Sequence, residues 1–131
     1  MADTVYTTPL IDKLGVKPGA RVAVINIHEP DFRRILGERT QDITEGEPLP
    51  DSDLVFVGVD DGTELRQLGF VRRRIVPNGA IWVISRKGKP ATIRDIEVIA
   101  AARASGLVDN KVVSFSATHT ALRLVIPVAL R

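Results

Sequence analysis

The segment after the first apolar strand constrains this chain most, because it lacks glycine. Residues 21–27 (Arg-Val-Ala-Val-Ile-Asn-Ile) predict a buried strand. In many α/β proteins the pattern G-x-G-x-x-G follows such a strand and lets the backbone approach a bound group. Here residues 26–31 are Asn-Ile-His-Glu-Pro-Asp, and no glycine occurs between Gly19 and Gly37. The sequence therefore predicts the framework of such a fold without its usual ligand loop.

Length and composition are those of a globular protein. The 131 residues suffice for one core, and 44% apolar with 26% charged residues exclude a disordered chain. The chain has no cysteine, which is compatible with a reducing compartment. Its first residues form no signal peptide, and no apolar stretch reaches the roughly 20 residues of a membrane helix. We expect a single cytoplasmic domain over residues 1–131, with no membrane contact.

The apolar pattern predicts a mostly parallel sheet of five strands. Three near-continuous apolar runs are typical of strands covered on both faces, and two later runs separated by three residues predict a hairpin. Numbered in chain order, the strands comprise residues 21–27, 54–59, 80–85, 111–117 and 121–128. We expect a small three-layer α/β domain with the spatial order 1-2-3-5-4, in which the C-terminal hairpin strand is antiparallel.

Four short helices are predicted between the strands, because apolar periodicity there follows a capping signal. Their predicted starts are Thr8-Pro9, Pro30, Asp61 and Thr92. The third helix is expected to present Leu65, Leu68 and Ile75 on one face, and the fourth Ile96, Ile99, Ala100 and Arg103.

Two further segments are assigned from their turn residues. Residues 77–79 (Pro-Asn-Gly) predict a turn into the strand that contains Trp82. Residues 38–52 are acidic and contain two prolines and a glycine. This segment is either a long loop or conceals a short strand near residues 41–44.

Several of these segments resemble the core of class I methyltransferases, which have a Rossmann-like fold. The resemblance is carried by residues 14–22, 53–57 and 76–83, and the Pro-Asn-Gly turn is its most specific part. Two strand–helix units that such enzymes carry after the first strand have no counterpart. The acidic residue that would hold the cofactor ribose is also missing, unless the segment 38–52 supplies it. The side chains of residues 27–30 would fill the cofactor's space, so S-adenosylmethionine is not expected to bind.

The chain is also similar to a family of short bacterial proteins of unknown function. The shared patterns are Pro-Leu-x-x-Lys-Leu-Gly (9–15), Lys-Pro-Gly (17–19), Asn-x-x-x-Pro (26–30), Gly-x-x-Trp (79–82) and Gly-Leu-Val-Asp-Asn-Lys (106–111). This resemblance implies no activity.

Polar side chains follow the carboxyl ends of the predicted strands, where open α/β sheets bind ligands. The candidate ligand-binding residues are His28, Asp60, Ser85, Lys87 and His119. They offer two bases that work near neutral pH, a carboxylate and a cationic loop suited to an anion. The alternative is that they are ordinary polar loop residues. The spacing of the histidines and Asp60 or Asp61 is not diagnostic of a metal site, and no catalytic residue, metal or cofactor is assigned.

Charge is unevenly distributed, and the two charged blocks are expected to pair either within the fold or across a self-association interface. Residues 29–61 carry ten acidic and three basic side chains, whereas residues 62–94 carry one acidic and eight basic ones. With 5% aromatic residues the chain has few stacking platforms, so nucleic-acid binding is disfavoured. The first predicted strand would lie at a sheet edge although it is apolar. We therefore expect a symmetric homodimer, formed either through that edge or through the helical face beside it, in which the two charged blocks complement each other.

These observations leave two hypotheses about function. The favoured one is a non-catalytic, methyltransferase-like module that acts through contacts with a protein partner. The alternative is a small-molecule or anion-binding protein, or an enzyme, that uses the carboxyl edge of the sheet.

Overall fold

The alternation of strands and helices builds one six-stranded sheet covered on both faces. The computed structural model describes residues 9–89 and 91–131. The strands are β1 (Val22–Ile25), β2 (Ile43–Glu45), β3 (Ser52–Gly58), β4 (Ile75–Arg86), β5 (Val108–Ser114) and β6 (His119–Val125). The helices are α1 (Leu10–Lys13), α2 (Pro30–Gly37), α3 (Leu68–Arg72) and α4 (Asp95–Ala104), with 3₁₀ turns at Gly62–Gln67 and Val128–Leu130. The spatial order is β2-β1-β3-β4-β6-β5, and β6 runs antiparallel to the other five strands.

Two apolar clusters cover the two faces of the sheet, because successive strand residues point to opposite sides. On one face α1 and α2 pack on a cluster that contains the fully buried Phe56 and Trp82. On the other face α3 and α4 pack on a cluster that contains Val57 and Val83. The three-layer α/β architecture expected from the sequence is confirmed.

The prediction of five strands is wrong, because the structure adds β2. This strand pairs parallel with β1 in the register Val22 opposite Ile43, close to the short strand left open near residues 41–44. Its three residues are half-buried or exposed, so it lacks the apolar run of the other parallel strands. As a consequence β1 is flanked by β2 and β3, and the premise that placed it at the sheet edge fails.

The Pro-Asn-Gly segment is also different from its prediction as a turn. It lies within β4 and forms a bulge there, because Ser52 is opposite Ile75 whereas Leu54 is opposite Ala80. At Gly79 an added Cβ would lie 2.8 Å from the carbonyl oxygen of Asp53, so the close approach of β3 and the bulge requires glycine.

The helices begin near their predicted starts, and Leu65 and Leu68 are buried in one cluster as predicted, but two other features of the predicted faces are wrong. Ile75 begins β4 and does not extend the third helix. In α4 the buried side chains are Val98 and Ala102, and Ile96 is 65% exposed. The predicted contribution of Thr8 lies outside the described residues. Within residues 9–89 and 91–131, none of the helices has the length and apolar character needed to cross a membrane.

Candidate functional site

A cavity lies at the carboxyl edge of the sheet, where the chain turns to opposite faces after two neighbouring strands. After β1 it enters α2, which buries Phe32 in the first cluster. After β3 it enters the 3₁₀ turn, which buries Leu65 in the second cluster. Between these loops lies the carboxyl-edge cavity, about 260 Å³ in volume and lined by residues of both loops and of β4 and β6. Open α/β sheets bind ligands where adjacent connections diverge in this way.

The loop after β1 makes its turn without glycine. Asn26 adopts a φ of 56°, a left-handed conformation that asparagine tolerates better than most residues. The glycine is found on the neighbouring strand instead. At Gly58 an added Cβ would lie 2.1 Å from the Asn26 carbonyl oxygen, so the loop presses on the end of β3. The Asn26 Nδ2 group also donates to the Gly58 carbonyl at 3.1 Å.

The carboxylate of Glu64 ties the two loops together. Its Oε1 accepts from the backbone N–H groups of Asp60 at 2.7 Å and Asp61 at 3.0 Å. Its Oε2 accepts from Asn26 Nδ2 at 3.1 Å. The loop after β3 is therefore fixed relative to the loop after β1 by one side chain.

The two neighbouring aspartates have different roles. Asp61 caps the 3₁₀ turn, as the sequence predicted, and accepts from the Thr63 hydroxyl and from the backbone N–H groups of Thr63 and Glu64. The Thr63 hydroxyl, followed by these N–H groups, lowers the pKa of Asp61. Asp60 lines the cavity, and its carboxylate makes no hydrogen bond or ion pair with a described residue. The backbone carbonyl of Asp60 accepts a hydrogen bond from the Thr92 hydroxyl, so Thr92 holds this loop and does not cap α4.

Both histidines of the chain line the carboxyl-edge cavity. The His28 Nε2 atom lies 3.2 Å from Asn26 Oδ1. The His119 Nδ1 atom lies 2.8 Å from the Thr118 hydroxyl and 3.8 Å from Glu29 Oε1. These contacts orient the His119 ring through Nδ1 and leave its Nε2 without a hydrogen bond to any described residue. Nε2 is therefore the nitrogen open to exchange a proton.

Two of the five predicted site residues lie elsewhere. Ser85 is buried within β4, and the Lys87 ammonium donates to the Ser114 hydroxyl at 2.7 Å. Arg86 lines the cavity in their place. Side chains alternate along a strand, so Ile84 and Arg86 share one face of β4 while Ser85 faces the other. The strand period of two is visible in the sequence, and it indicates that Arg86 is the cationic residue that lines the cavity.

A carboxylate also occurs at the end of β2. Glu45 is the last residue of this strand, and its Oε2 pairs with Arg33 Nη2 of α2 at 3.1 Å. The side chain remains 66% exposed and open to further contacts. In the part of the chain that the structure describes, no group of three or more His, Asp or Glu side chains could hold a metal ion.

No protein-family model matches this chain, and no curated protein matches it by sequence. Solved structures do match its fold. An S-adenosylmethionine-dependent methyltransferase from Mesorhizobium loti has a TM-score of 0.67 at 10% identity, covering 88% of this chain and 94% of that protein. One from Aquifex aeolicus has a TM-score of 0.61 at 16% identity, covering 88% and 86%. Fibrillarin from Aeropyrum pernix, solved with natively bound S-adenosyl-L-methionine, has a TM-score of 0.58 at 15% identity, covering 86% and 69%.

These likenesses correct the favoured functional hypothesis. The expectation of a non-catalytic module acting through protein contacts is wrong, because solved structures that share this fold, those from Mesorhizobium loti and Aquifex aeolicus among them, are S-adenosylmethionine-dependent methyltransferases, which are catalysts. At identities of 10–16% the likeness establishes the fold alone. The chain has a methyltransferase-like Rossmann fold, built on a mixed sheet of six strands.

Proposed function

We propose that this protein binds S-adenosylmethionine at the carboxyl edge of its sheet and transfers the methyl group to a small acceptor in the carboxyl-edge cavity. The position of the cavity carries the proposal. It lies between the loops after β1 and β3, where the connections diverge to opposite faces. Open α/β sheets bind their ligands where neighbouring connections leave the sheet on opposite faces, so we expect the cofactor and the acceptor to bind there.

The end of β2 supplies a carboxylate that fits the cofactor. The resemblance to class I methyltransferases implies an acidic residue there that holds the ribose hydroxyls. Glu45 occupies this position, and the strand that positions it pairs with β1. Arg33 fixes one oxygen of its carboxylate, which leaves the other available as an acceptor.

The glycine-free loop brings a tight backbone turn to the wall of the carboxyl-edge cavity. The expected obstacle was the bulk of residues 27–30. In the structure Ile27 packs against the first apolar cluster and also lines the cavity with His28 and Glu29, and the turn itself is made by Asn26 against Gly58. The backbone therefore follows a tight path at the point where a glycine-rich loop would approach the methionine part of the cofactor.

The bound cofactor would supply a methyl group to a nucleophilic oxygen or nitrogen of the acceptor. His119 is placed to take the proton that this nucleophile loses. The Glu29 carboxylate near its Nδ1 favours the form with the proton on Nδ1, and Nε2 is then the proton acceptor. Asp60 and Arg86 line the same cavity and would hold polar groups of the acceptor.

Titration calorimetry with S-adenosylmethionine tests the first half of the proposal. We expect a dissociation constant below about 100 μM, about −5.5 kcal/mol. Glu45→Gln should weaken binding about tenfold, through the loss of one charge-assisted hydrogen bond. The matched control is Glu47→Gln, which removes an exposed carboxylate two residues away and should leave binding unchanged. Absence of binding to the wild-type protein would contradict the proposal.

Transfer of a tritiated methyl group from S-adenosylmethionine tests the second half. A deproteinised cell extract serves as the pool of small acceptors. We expect label in small molecules with the wild-type protein, and a rate 10²- to 10⁴-fold lower with His119→Gln at unchanged cofactor affinity, as for loss of a general base. Equal transfer rates for the wild type and His119→Gln would show that His119 is not the general base. The proposal that the protein binds S-adenosylmethionine would not be affected.

A further inference from the structure

A second cavity lies at the amino edge of the sheet, opposite the proposed reaction site. Its volume is about 360 Å³, larger than that of the carboxyl-edge cavity. The turn at residues 15–20, the start of β3, the bulge of β4 and Arg123 of β6 line it. The bulge makes room for it, because an advance of two positions on β3, from Ser52 to Leu54, corresponds to an advance of five positions on β4, from Ile75 to Ala80. We call it the amino-edge cavity.

Arg123 is the unusual residue of this cavity. Its side chain is half-buried beside Trp82, the residue opposite it on β4. Other arginines of the described chain donate to backbone carbonyls, such as Arg39 to Val16 at 2.8 Å and Arg72 to Gly106 at 3.1 Å. The Arg123 guanidinium makes no hydrogen bond or ion pair with any residue in 9–89 or 91–131. A half-buried guanidinium without an acceptor is costly, because it has lost part of its hydration and gained no partner.

The electrostatic surroundings add to this cost. Burial lowers the pKa of Arg123, and the nearby Arg131 guanidinium lowers it further. An anion bound to the Arg123 guanidinium would offset both its lost hydration and its repulsion by Arg131.

The other polar groups of the amino-edge cavity suit the same ligand. Lys17 and Asn78 line it and provide hydrogen-bond donors. Asp53, the acidic residue of the lining, already accepts from the backbone N–H of Arg21 at 2.9 Å. A ligand here would present an anionic group to Arg123 and Lys17 and an O–H or N–H donor to Asp53.

We propose that the amino-edge cavity binds a small molecule bearing a phosphate or carboxylate group, with Arg123 as its main ligand. The site is separate from the carboxyl-edge cavity and does not depend on the methyltransferase proposal. Phosphate and carboxylate share the fork-like geometry that a guanidinium recognises with two parallel hydrogen bonds.

Fluorescence of Trp82 can report on this site, since it is the single tryptophan of the chain and lies opposite Arg123. We expect inorganic phosphate or acetate to change the emission with a dissociation constant of about 1 mM or tighter. The stronger response identifies the class, phosphate or carboxylate. Arg123→Gln should weaken binding roughly 10- to 100-fold, as for loss of a charge-assisted pair. The control Arg94→Gln removes an exposed cation of the α4 start and should change nothing.

A second measurement keeps the test valid if the fluorescence change is small. In buffer without either anion, the melting temperature of Arg123→Gln should equal or exceed that of the wild type, because an uncompensated charge is removed. Added phosphate or acetate should raise the melting temperature of the wild type only. A clear loss of stability of Arg123→Gln in anion-free buffer, or an equal response of both proteins to both anions, would overturn the proposal.

Discussion

Asn26, after β1, and Gly58, at the end of β3, together allow the tight backbone turn that a glycine-rich loop makes by itself. Asn26 takes the left-handed conformation, and Gly58 gives its carbonyl oxygen room. The sequence showed the absence of glycine in the loop but not the glycine opposite it, because the two residues are 32 positions apart. Only the pairing of β1 with β3 brings them together.

Substitution of Gly58 by alanine should be costly for this reason. The added Cβ would meet the backbone of Asn26 at 2.1 Å, and backbone cannot move aside as a flexible side chain can. We expect a loss of about 3 kcal/mol in the free energy of unfolding, measured by urea denaturation. Gly62→Ala is the matched control, because no atom lies within 4 Å of its added Cβ, and it should be nearly neutral. Equal effects of both substitutions would contradict this account.

Asp61 should make the stability of the fold depend on pH. Its hydrogen bonds favour the charged form, so its pKa is lower in the folded than in the unfolded protein. The stabilisation is therefore complete above the unfolded pKa of about 4 and is lost as the pH falls through the folded value. Asp61→Ala should melt below the wild type at pH 7, and the difference should shrink well below pH 4. A difference that does not change with pH would assign the effect to packing.

At the scale of elements, the strands that the sequence predicts are those with continuous apolar runs. The strands β1, β3 and β4 were predicted because they are buried on both faces, and the hairpin because its strands are three residues apart. β2 was left open because it is short and partly exposed. The faces of α4 were misassigned because its start lies at Asp95, and the face it buries depends on how it packs over the second cluster.

At the site, the ends of the predicted strands correctly indicated His28, Asp60 and His119 as residues that line the cavity. The prediction of Ser85 was wrong, because the face of β4 that points to the cavity carries Arg86.

Paired substitutions in α4 test which face it buries. Val98 is 1% exposed in the second cluster, so Val98→Ala should cost about 2 kcal/mol in unfolding free energy. Ile96 is 65% exposed, and Ile96→Ala should cost less than about 0.5 kcal/mol although it removes more atoms. Chemical denaturation of the two variants decides between the faces. A larger loss of unfolding free energy for Ile96→Ala than for Val98→Ala would support the buried face of α4 that the sequence predicted.

For the whole molecule, the open question is how the outer edges of the sheet are used. Because β2 covers β1, the edges available for association are β2 and β5. β2 has three residues, whereas β5 has seven and exposes 59% of Val112. The homodimer expected from the sequence is accordingly proposed to form through β5, since a long strand with an exposed apolar residue invites pairing with another chain.

Sedimentation equilibrium at micromolar concentration tests this proposal. The wild type should sediment as a dimer of the 14.3 kDa chain, and Val112→Lys as a monomer. The exposed position of Val112 means that lysine there leaves the core intact. Val128→Lys introduces the same charge at a residue that is 77% exposed and outside the sheet, and should remain dimeric. A monomeric wild type would contradict the proposal.

The contact between Asn26 and Gly58 also limits how this protein can be engineered or recombined. The carbonyl oxygen of Asn26 leaves no room for a side chain at position 58, and the Asn26 Nδ2 group donates to the Gly58 carbonyl, so Gly58 cannot be exchanged while the loop after β1 keeps this path. A loop grafted after β1 from another protein would have a backbone path that fits a different residue at the end of β3. The smallest transplantable piece is therefore β1 with its loop and the end of β3, a unit contiguous in space but split along the chain.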